Sequence, residues 1–285
     1  MPKNFILTGF SDEISPDIQE QFENLQRLGI HHFEIRGVGD KNVAGLTLEE
    51  AEEVARLGKS YGITASSVGS PIGKIGIADD FDLHLQKLAH VIQIAKVLGT
   101  GFIRVFSFYI PKGEDPAAYR EEVIRRMKAM TALAEREGVT LLHENEKGIY
   151  GDTAPRCLDI LESVASPHLR AVFDPANFVE CGQVTYPDAF DLLKSYVVYL
   201  HIKDCTAGKH IVPAGQGIGQ VEQILSQLYQ SGYHGFVSLE PHLAQFAGLS
   251  ALQGDTTVVS EGQAGPRTFK IAYDALMEII ERVEQ

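Results

Sequence analysis

The sequence predicts one (β/α)8 barrel of the α/β class, a single domain covering residues 1–285. Three observations carry that expectation. Apolar, strand-like runs alternate with helical patterns along the whole chain, as in parallel sheets joined by crossover helices. Eight such pairs can be drawn, and the 285-residue length suits a fold that typically needs about 250. Carboxylate or imidazole side chains end four successive apolar runs in the second half: Glu144, Asp174, His201 and Glu240. Their spacing is about one strand–helix unit, so in a parallel barrel all four point into one shared mouth.

The elements follow in order. Strands are expected at 5–9, 32–36, 64–68, 102–106, 140–144, 170–173, 197–202 and 236–240. Helices are expected at 16–28, 47–61, 81–98, 116–137, 154–164, 187–194, 221–230 and 267–283. Ser15-Pro16, Asp115-Pro116 and Tyr186-Pro187 read as a cap followed by a first-turn proline. Gly29, Gly62, Gly99, Gly138 and Gly232 stand just before the next strand, where a left-handed cap ends a helix. Three connections are longer than tight turns need, at 70–80, 108–115 and 243–265. All follow strands and so belong to the catalytic face, as pocket walls, lids or plain surface loops.

Bulk properties narrow the function. The net charge of −13 disfavours nonspecific nucleic-acid binding, which needs clustered Lys and Arg. No run approaches the roughly 20 apolar residues of a membrane span, and Met1-Pro2-Lys3-Asn4 lacks a signal-peptide pattern. Cys157, Cys181 and Cys205 form no CxxC pair and read as free thiols of a reducing cytoplasm.

Three carboxylates and one imidazole make an oxygen-rich donor set for one divalent cation, Mn²⁺ first, with Mg²⁺, Co²⁺ or Zn²⁺ as the other candidates. Each ligand has a plainer reading beside the functional one. Glu144 and Glu240 could be salt-bridge partners, Asp174 before Pro175 could start a turn, and His201 could be a satisfied core histidine. Lys203 lies two residues past His201, on the same strand face, and suits either substrate oxygens or an ion pair with an acid. Glu34 suits a substrate hydroxyl or a loop anchor; Lys74 suits an anionic substrate or solvent. Gly215-Gln216-Gly217-Ile218-Gly219 follows no strand directly and is expected to be a tight loop near the metal, not a dinucleotide site.

Taken together, the sequence resembles the xylose isomerase-like TIM barrel superfamily, in particular its sugar isomerase and epimerase branch. The resemblance rests on Phe10-Ser11-Asp12-Glu13, Glu34, Ile103-Arg104-Val105, His143-Glu144-Asn145, Phe173-Asp174-Pro175-Ala176-Asn177, His201-Ile202-Lys203-Asp204, Gly215-Gln216-Gly217 and Ser238-Leu239-Glu240-Pro241. It implies that Glu144, Asp174, His201 and Glu240 bind one divalent metal, with Glu144 and Glu240 as the acid/base pair. The implied reaction moves a proton beside the carbonyl of a sugar, sugar phosphate or sugar acid through an enediolate. Asn177 stands where related epimerases often carry a substrate-binding His; Asn can hold a hydroxyl but cannot shuttle protons. Related barrels also suggest a homo-oligomer.

Two rival readings share this cage. A lyase or decarboxylase of an oxo sugar acid would use the same metal chemistry. An apurinic-site endonuclease-like phosphodiesterase would need a multi-zinc cluster. Strands three and four end in Ser66-Ser67-Val68 and Phe106-Ser107, without its extra histidines.

Overall fold

Eight short parallel strands form one sheet in the computed structural model, which describes residues 4–245 and 263–285. They are β1 (Ile6–Gly9), β2 (His32–Ile35), β3 (Thr64–Val68), β4 (Phe102–Val105), β5 (Thr140–Glu144), β6 (Leu169–Phe173), β7 (Val197–Ile202) and β8 (Phe236–Leu239). Each strand pairs with the next in sequence from β2 to β8, and β8 pairs with β1. A lone parallel bridge between Phe10 and Glu34 joins β1 to β2, so the barrel is nearly closed.

Side chains alternate across a strand, and this chain uses the alternation twice. The outward set, including Leu7, Phe33, Ile103, Leu141, Phe173, Leu200 and Val237, joins the large core beneath the helices. The inward set begins apolar: Leu142, Val172 and Tyr199 form a separate plug, flanked by Phe102 and Phe236. Two residues further along β5, β6 and β7 come Glu144, Asp174 and His201, which therefore sit directly above that plug at the carboxyl-terminal mouth.

The helices around the sheet are α1 (Ile18–Arg27), α2 (Leu48–Tyr61), α3 (Phe81–Leu98), α4 (Arg120–Glu137), α5 (Ala154–Val164), α6 (Pro175–Glu180), α7 (Phe190–Leu193), α8 (Val221–Gln230) and α9 (Pro266–Val283). Thr47 and Glu50 form a reciprocal capping box on α2. Gly62, Gly99 and Gly138 end α2, α3 and α4 at φ of 69°, 75° and 74°. Among the described residues no helix is long and apolar enough to cross a membrane.

Most departures from expectation are at element ends. Asp17, not Ser15, caps α1, accepting the amides of Gln19 and Glu20. The helix expected from Pro116 opens with a 3-10 turn, Pro116–Tyr119, before α4. The expected helix at 187–194 opens as a π-helical turn, Thr185–Ala189, that runs into α7, with the Tyr186–Pro187 bond cis. Helix α6 was not expected: Asp174-Pro175 caps and opens a helix instead of a simple turn. Most of the expected loop at 243–265 lies outside the described residues.

The loops after β3 and β4 are not loose. Backbone bonds run from Phe106 N to Ile72 O (2.8 Å), Phe108 N to Gly73 O (3.1 Å) and Tyr109 N to Ile75 O (2.8 Å). A further bond from Ile110 N to Gly148 O (3.0 Å) adds the loop after β5, giving a three-segment platform over one side of the mouth. Gly73 is required there: its φ is +92°, and an added Cβ would meet Phe106 O at 2.0 Å. Its amide donates to His84 Nε2 on α3 (2.7 Å).

Burial, with help from Lys87 and Arg126, pushes the His84 pKa down to about 4 from the ordinary 6.5. The unfolded chain therefore binds more protons between those values, and stability falls as pH drops through that window. In His84→Gln, whose side-chain oxygen can still accept the Gly73 amide, urea-unfolding midpoints should fall less steeply with acidification. An unchanged slope would remove His84 from the account.

Candidate metal centre and active site

Glu144, Asp174, His201 and Glu240 are all buried, and one donor atom from each lies within 4.8 Å of the other three. Ligands about 2.0–2.6 Å from one ion span such distances across it, so the four fit a single divalent cation. Three carboxylates and a nitrogen suit a hard or borderline metal.

Each donor is aimed by a local device. Glu144 ends β5, where Arg104 Nη1 is 3.3 Å from its Oε2 and Asn177 Nδ2 is 3.2 Å from its Oε1. Asp174 caps α6, its Oδ1 accepting the Asn177 amide at 3.0 Å. Asn145 grips the Asp174 backbone from both sides, accepting its N–H at 3.0 Å and donating to its carbonyl at 2.9 Å. His201 Nδ1 faces Glu144 Oε1 at 2.9 Å, and its Nε2 faces Glu34. Glu240 follows β8, held through its amide to Ile202 O (3.1 Å).

Lys203, buried beside the cluster, bridges Asp174 Oδ2 (2.5 Å) and Glu240 Oε2 (2.6 Å). Burial favours neutral groups, but here opposite charges decide several states. Burial raises the Glu144 carboxyl, yet His201 and Arg104 outweigh it and hold the pKa at about 2. Burial lowers His201, yet Glu144 and Glu34 lift it to about 10. Asp174 rises to about 7 because burial, with Glu240 and Glu144, outweighs Lys203. Positive charge facing the carboxylates comes from Lys203, His201, Arg104 and Arg36.

A cavity opens above the donors, its floor formed by Arg104, Glu144, Asn177, Lys203, Glu240 and His242. Its rim carries two ion pairs, Lys74–Glu146 at 3.1 Å and Lys147–Glu180 at 3.0 Å.

The xylose isomerase-like TIM barrel family model matches residues 22–262, most of this sequence. The chain belongs to that family. No curated protein matches the sequence. Among solved structures, the probable 3-DHS dehydratase AsbF of Bacillus anthracis shares 18% identity with a TM-score of 0.74, over 96% of this chain and 98% of that one. The 3-keto-D-glucoside 4-epimerase YcjR of E. coli shares 16% identity, TM-score 0.70, over 96% and 98%. A D-allulose 3-epimerase from Methylomonas sp., solved with D-allulose, shares 17%, TM-score 0.73, over 99% and 98%. A family protein of Mycobacterium smegmatis, solved with magnesium, shares 15%, TM-score 0.69, over 98% and 97%. At these identities the likeness is one of fold.

In this family member the structure brings together most residues singled out from sequence. Asn177 and Lys203 line the cavity floor, and Lys74 reaches the rim instead of solvent, stacked over Phe106 at 4.4 Å. Glu34 is placed differently: it is sealed inside the barrel below His201, apart from the residues that line the cavity. Sequence reasoning passed over Arg36 and His242. Arg36 holds Asp12 through two bonds (2.8 and 3.0 Å) and Glu13 at 3.1 Å, and its Nη1 lies 3.3 Å from Glu240 Oε1. His242 Nε2 is 3.3 Å from the same oxygen. Both stand two residues beyond a site acid, and that same-face parity was the available signal. Arg104 is visible in the sequence as a lone cation inside an apolar strand.

The glycine loop wraps an internal anion. Asp204, fully buried, accepts backbone N–H groups from Gly215 (2.9 Å), Gly217 (3.1 Å), Gly219 (2.8 Å) and Cys205 (2.8 Å). An added Cβ at Gly217 would lie 2.3 Å from Asp204 Oδ1 and 2.4 Å from Cys205 O. Gly217→Ala should therefore cost about 1–3 kcal/mol in urea unfolding, the usual scale of overpacking. Ile218→Ala, at a side chain 53% exposed, should stay within about 0.5 kcal/mol of the parent. Equal effects would contradict the tight-nest account.

Proposed function

We propose that this protein is a divalent-metal-dependent isomerase or epimerase of a small sugar, sugar phosphate or sugar acid. The observation that carries the reading is the buried Glu144, Asp174, His201 and Glu240 group at the barrel mouth, with its donor atoms within 4.8 Å. The same four residues would hold the ion, Mn²⁺ by preference. When bound, it supplies a Lewis acid for negative charge on neighbouring substrate oxygens.

The chain's own residues supply the proton transfers. Glu144 and Glu240 reach the cavity from β5 and the end of β8. One glutamate, as the carboxylate, takes the proton beside the substrate carbonyl and becomes the acid; the other, carrying a proton in the substrate complex, gives it to the resulting enediolate and becomes the carboxylate. Arg104 and Lys203 add positive charge where that intermediate carries negative charge. Asn177 steadies Glu144 and offers its amide oxygen to a hydroxyl, and Lys74 meets an anionic substituent at the rim. A mainly cytoplasmic setting accords with the free thiols Cys157, Cys181 and Cys205.

A second reading, lyase or dehydratase action on an oxo sugar acid, is favoured by one feature. Lys74, Arg104, Lys147 and Lys203 all line the cavity, which suits a substrate carboxylate. The similarity to a probable dehydratase is in keeping with it.

Incubating the Mn²⁺-loaded protein in D₂O with ketoses, sugar phosphates and oxo sugar acids should give an isomer carrying deuterium beside the carbonyl, followed by proton NMR. Loss of water or carbon without such an isomer would transfer the assignment to the lyase reading. Glu144→Gln and Glu240→Gln should each slow turnover about 10²–10⁴-fold with far-UV circular dichroism retained. Lys203→Ala should raise KM; unchanged KM and turnover would remove its substrate role.

A further inference from the structure

We propose that Glu34 is a positioning residue for the metal centre, fixing the His201 ring so that Nδ1 is presented to the cation. The proposal rests on the divalent-ion reading of the site. The two ring nitrogens face opposite ways. Nδ1 looks up at Glu144 Oε1 (2.9 Å) and Glu240 Oε2 (3.6 Å), whereas Nε2 looks down at the Glu34 oxygens (3.2 and 3.3 Å). Glu34 is 0% exposed and outside the cavity lining, so it meets the metal only through the imidazole.

Glu34 is itself held. Ser238 Oγ donates to its Oε2 at 2.7 Å. Beside it Ser66 Oγ joins Phe33 O (3.0 Å), Thr8 Oγ1 (2.7 Å) and the Tyr199 hydroxyl (2.9 Å). Phe10 and Tyr199 meet the His201 ring edge-on, with centroids 4.9 and 5.8 Å away, which sets its plane.

The backbone is adapted to this arrangement. Phe33 pairs with Ala65 but Glu34 pairs with Ser67, so Ser66 is an extra residue in β3. Ala171 pairs with Val197 but Val172 pairs with Tyr199, so Val198 is an extra residue in β7. Such bulges re-aim side chains next to active sites. Here the two irregularities bring Ser66 and Tyr199 into contact inside the barrel.

Packing alone does not explain a carboxylate at this depth. The neighbouring positions Leu142, Val172 and Tyr199 fill the barrel with apolar groups, and a buried charge is costly unless it is paired. Its partner here is the ring nitrogen opposite the candidate ligand atom, the arrangement by which an outer carboxylate orients a metal-bound histidine.

The test measures Zn²⁺ affinity by competition with a chromophoric chelator, alongside thermal unfolding in EDTA. Glu34→Gln should weaken Zn²⁺ binding about 10–100-fold. In a His201→Gln background the same change should add no further loss, since the ring it positions is gone; an equal, additive loss would indicate a merely structural role and overturn the proposal. Unchanged Zn²⁺ affinity in Glu34→Gln would also overturn it, leaving the metal reading intact. Failure of the parent protein to bind any divalent ion would sink the metal reading and this proposal with it. Should Glu34→Gln fail to fold, ¹⁵N NMR of the Zn²⁺-loaded parent decides: His201 should be metallated at Nδ1 with a slowly exchanging Nε2–H, and metallation at Nε2 refutes the assignment.

Discussion

Mutual compensation of buried charge is the constraint on which the centre depends. Glu144, Asp174 and Glu240 are buried side by side and would repel one another if left alone. Lys203, His201, Arg104 and Arg36 stand within about 2.5–3.3 Å of those carboxylates and neutralise them. The rest of the barrel can be understood as the frame that keeps these groups at fixed distances. Strands β2 and β4 to β8 deliver these charged residues at or just past their carboxyl ends, and the apolar plug of Leu142, Val172 and Tyr199 lies beneath them.

The frame has a division of labour between its two faces. Outward residues bind the helices and make the domain stable. On β5, β6 and β7 the inward residues change from apolar Leu142, Val172 and Tyr199 to Glu144, Asp174 and His201 at the mouth, and Glu34, Ser66 and Ser238 add a polar layer on the neighbouring strands. The four candidate donors thus fall in the last two residues of a strand or the first residue after it, which is the usual place for site residues in such barrels.

Much of this was legible in the sequence, for physical reasons. Strands β1 to β8 were visible because buried parallel strands are continuous apolar runs, and Gly62, Gly99 and Gly138 marked helix ends because only a residue without Cβ takes that conformation cheaply. The four candidate ligands were visible because a charge directly after such a run has little other reason to be there. Other features were hidden. Helix α6 is six residues long and carries no periodicity, and Asp174 is both its cap and a candidate donor. Bulges at Ser66 and Val198 leave no compositional mark, so the inward turn of Ser66 and the burial of Glu34 could be found only in three dimensions. The pairing of Lys74 with Glu146 joins loops far apart in sequence, and nothing local announces it.

The double hydrogen bond between Asn145 and the Asp174 backbone lengthens the sheet past its last strand residues. A side-chain amide here imitates a neighbouring strand and adds one rung to the β5–β6 ladder beyond its end. Glu144 and Asp174 are thereby riveted into a single rigid jaw. Across the mouth, the Glu240 N–H to Ile202 O bond (3.1 Å) extends the β7–β8 ladder in the same way with main chain alone, so both halves of the donor group are tied past the ends of their strands.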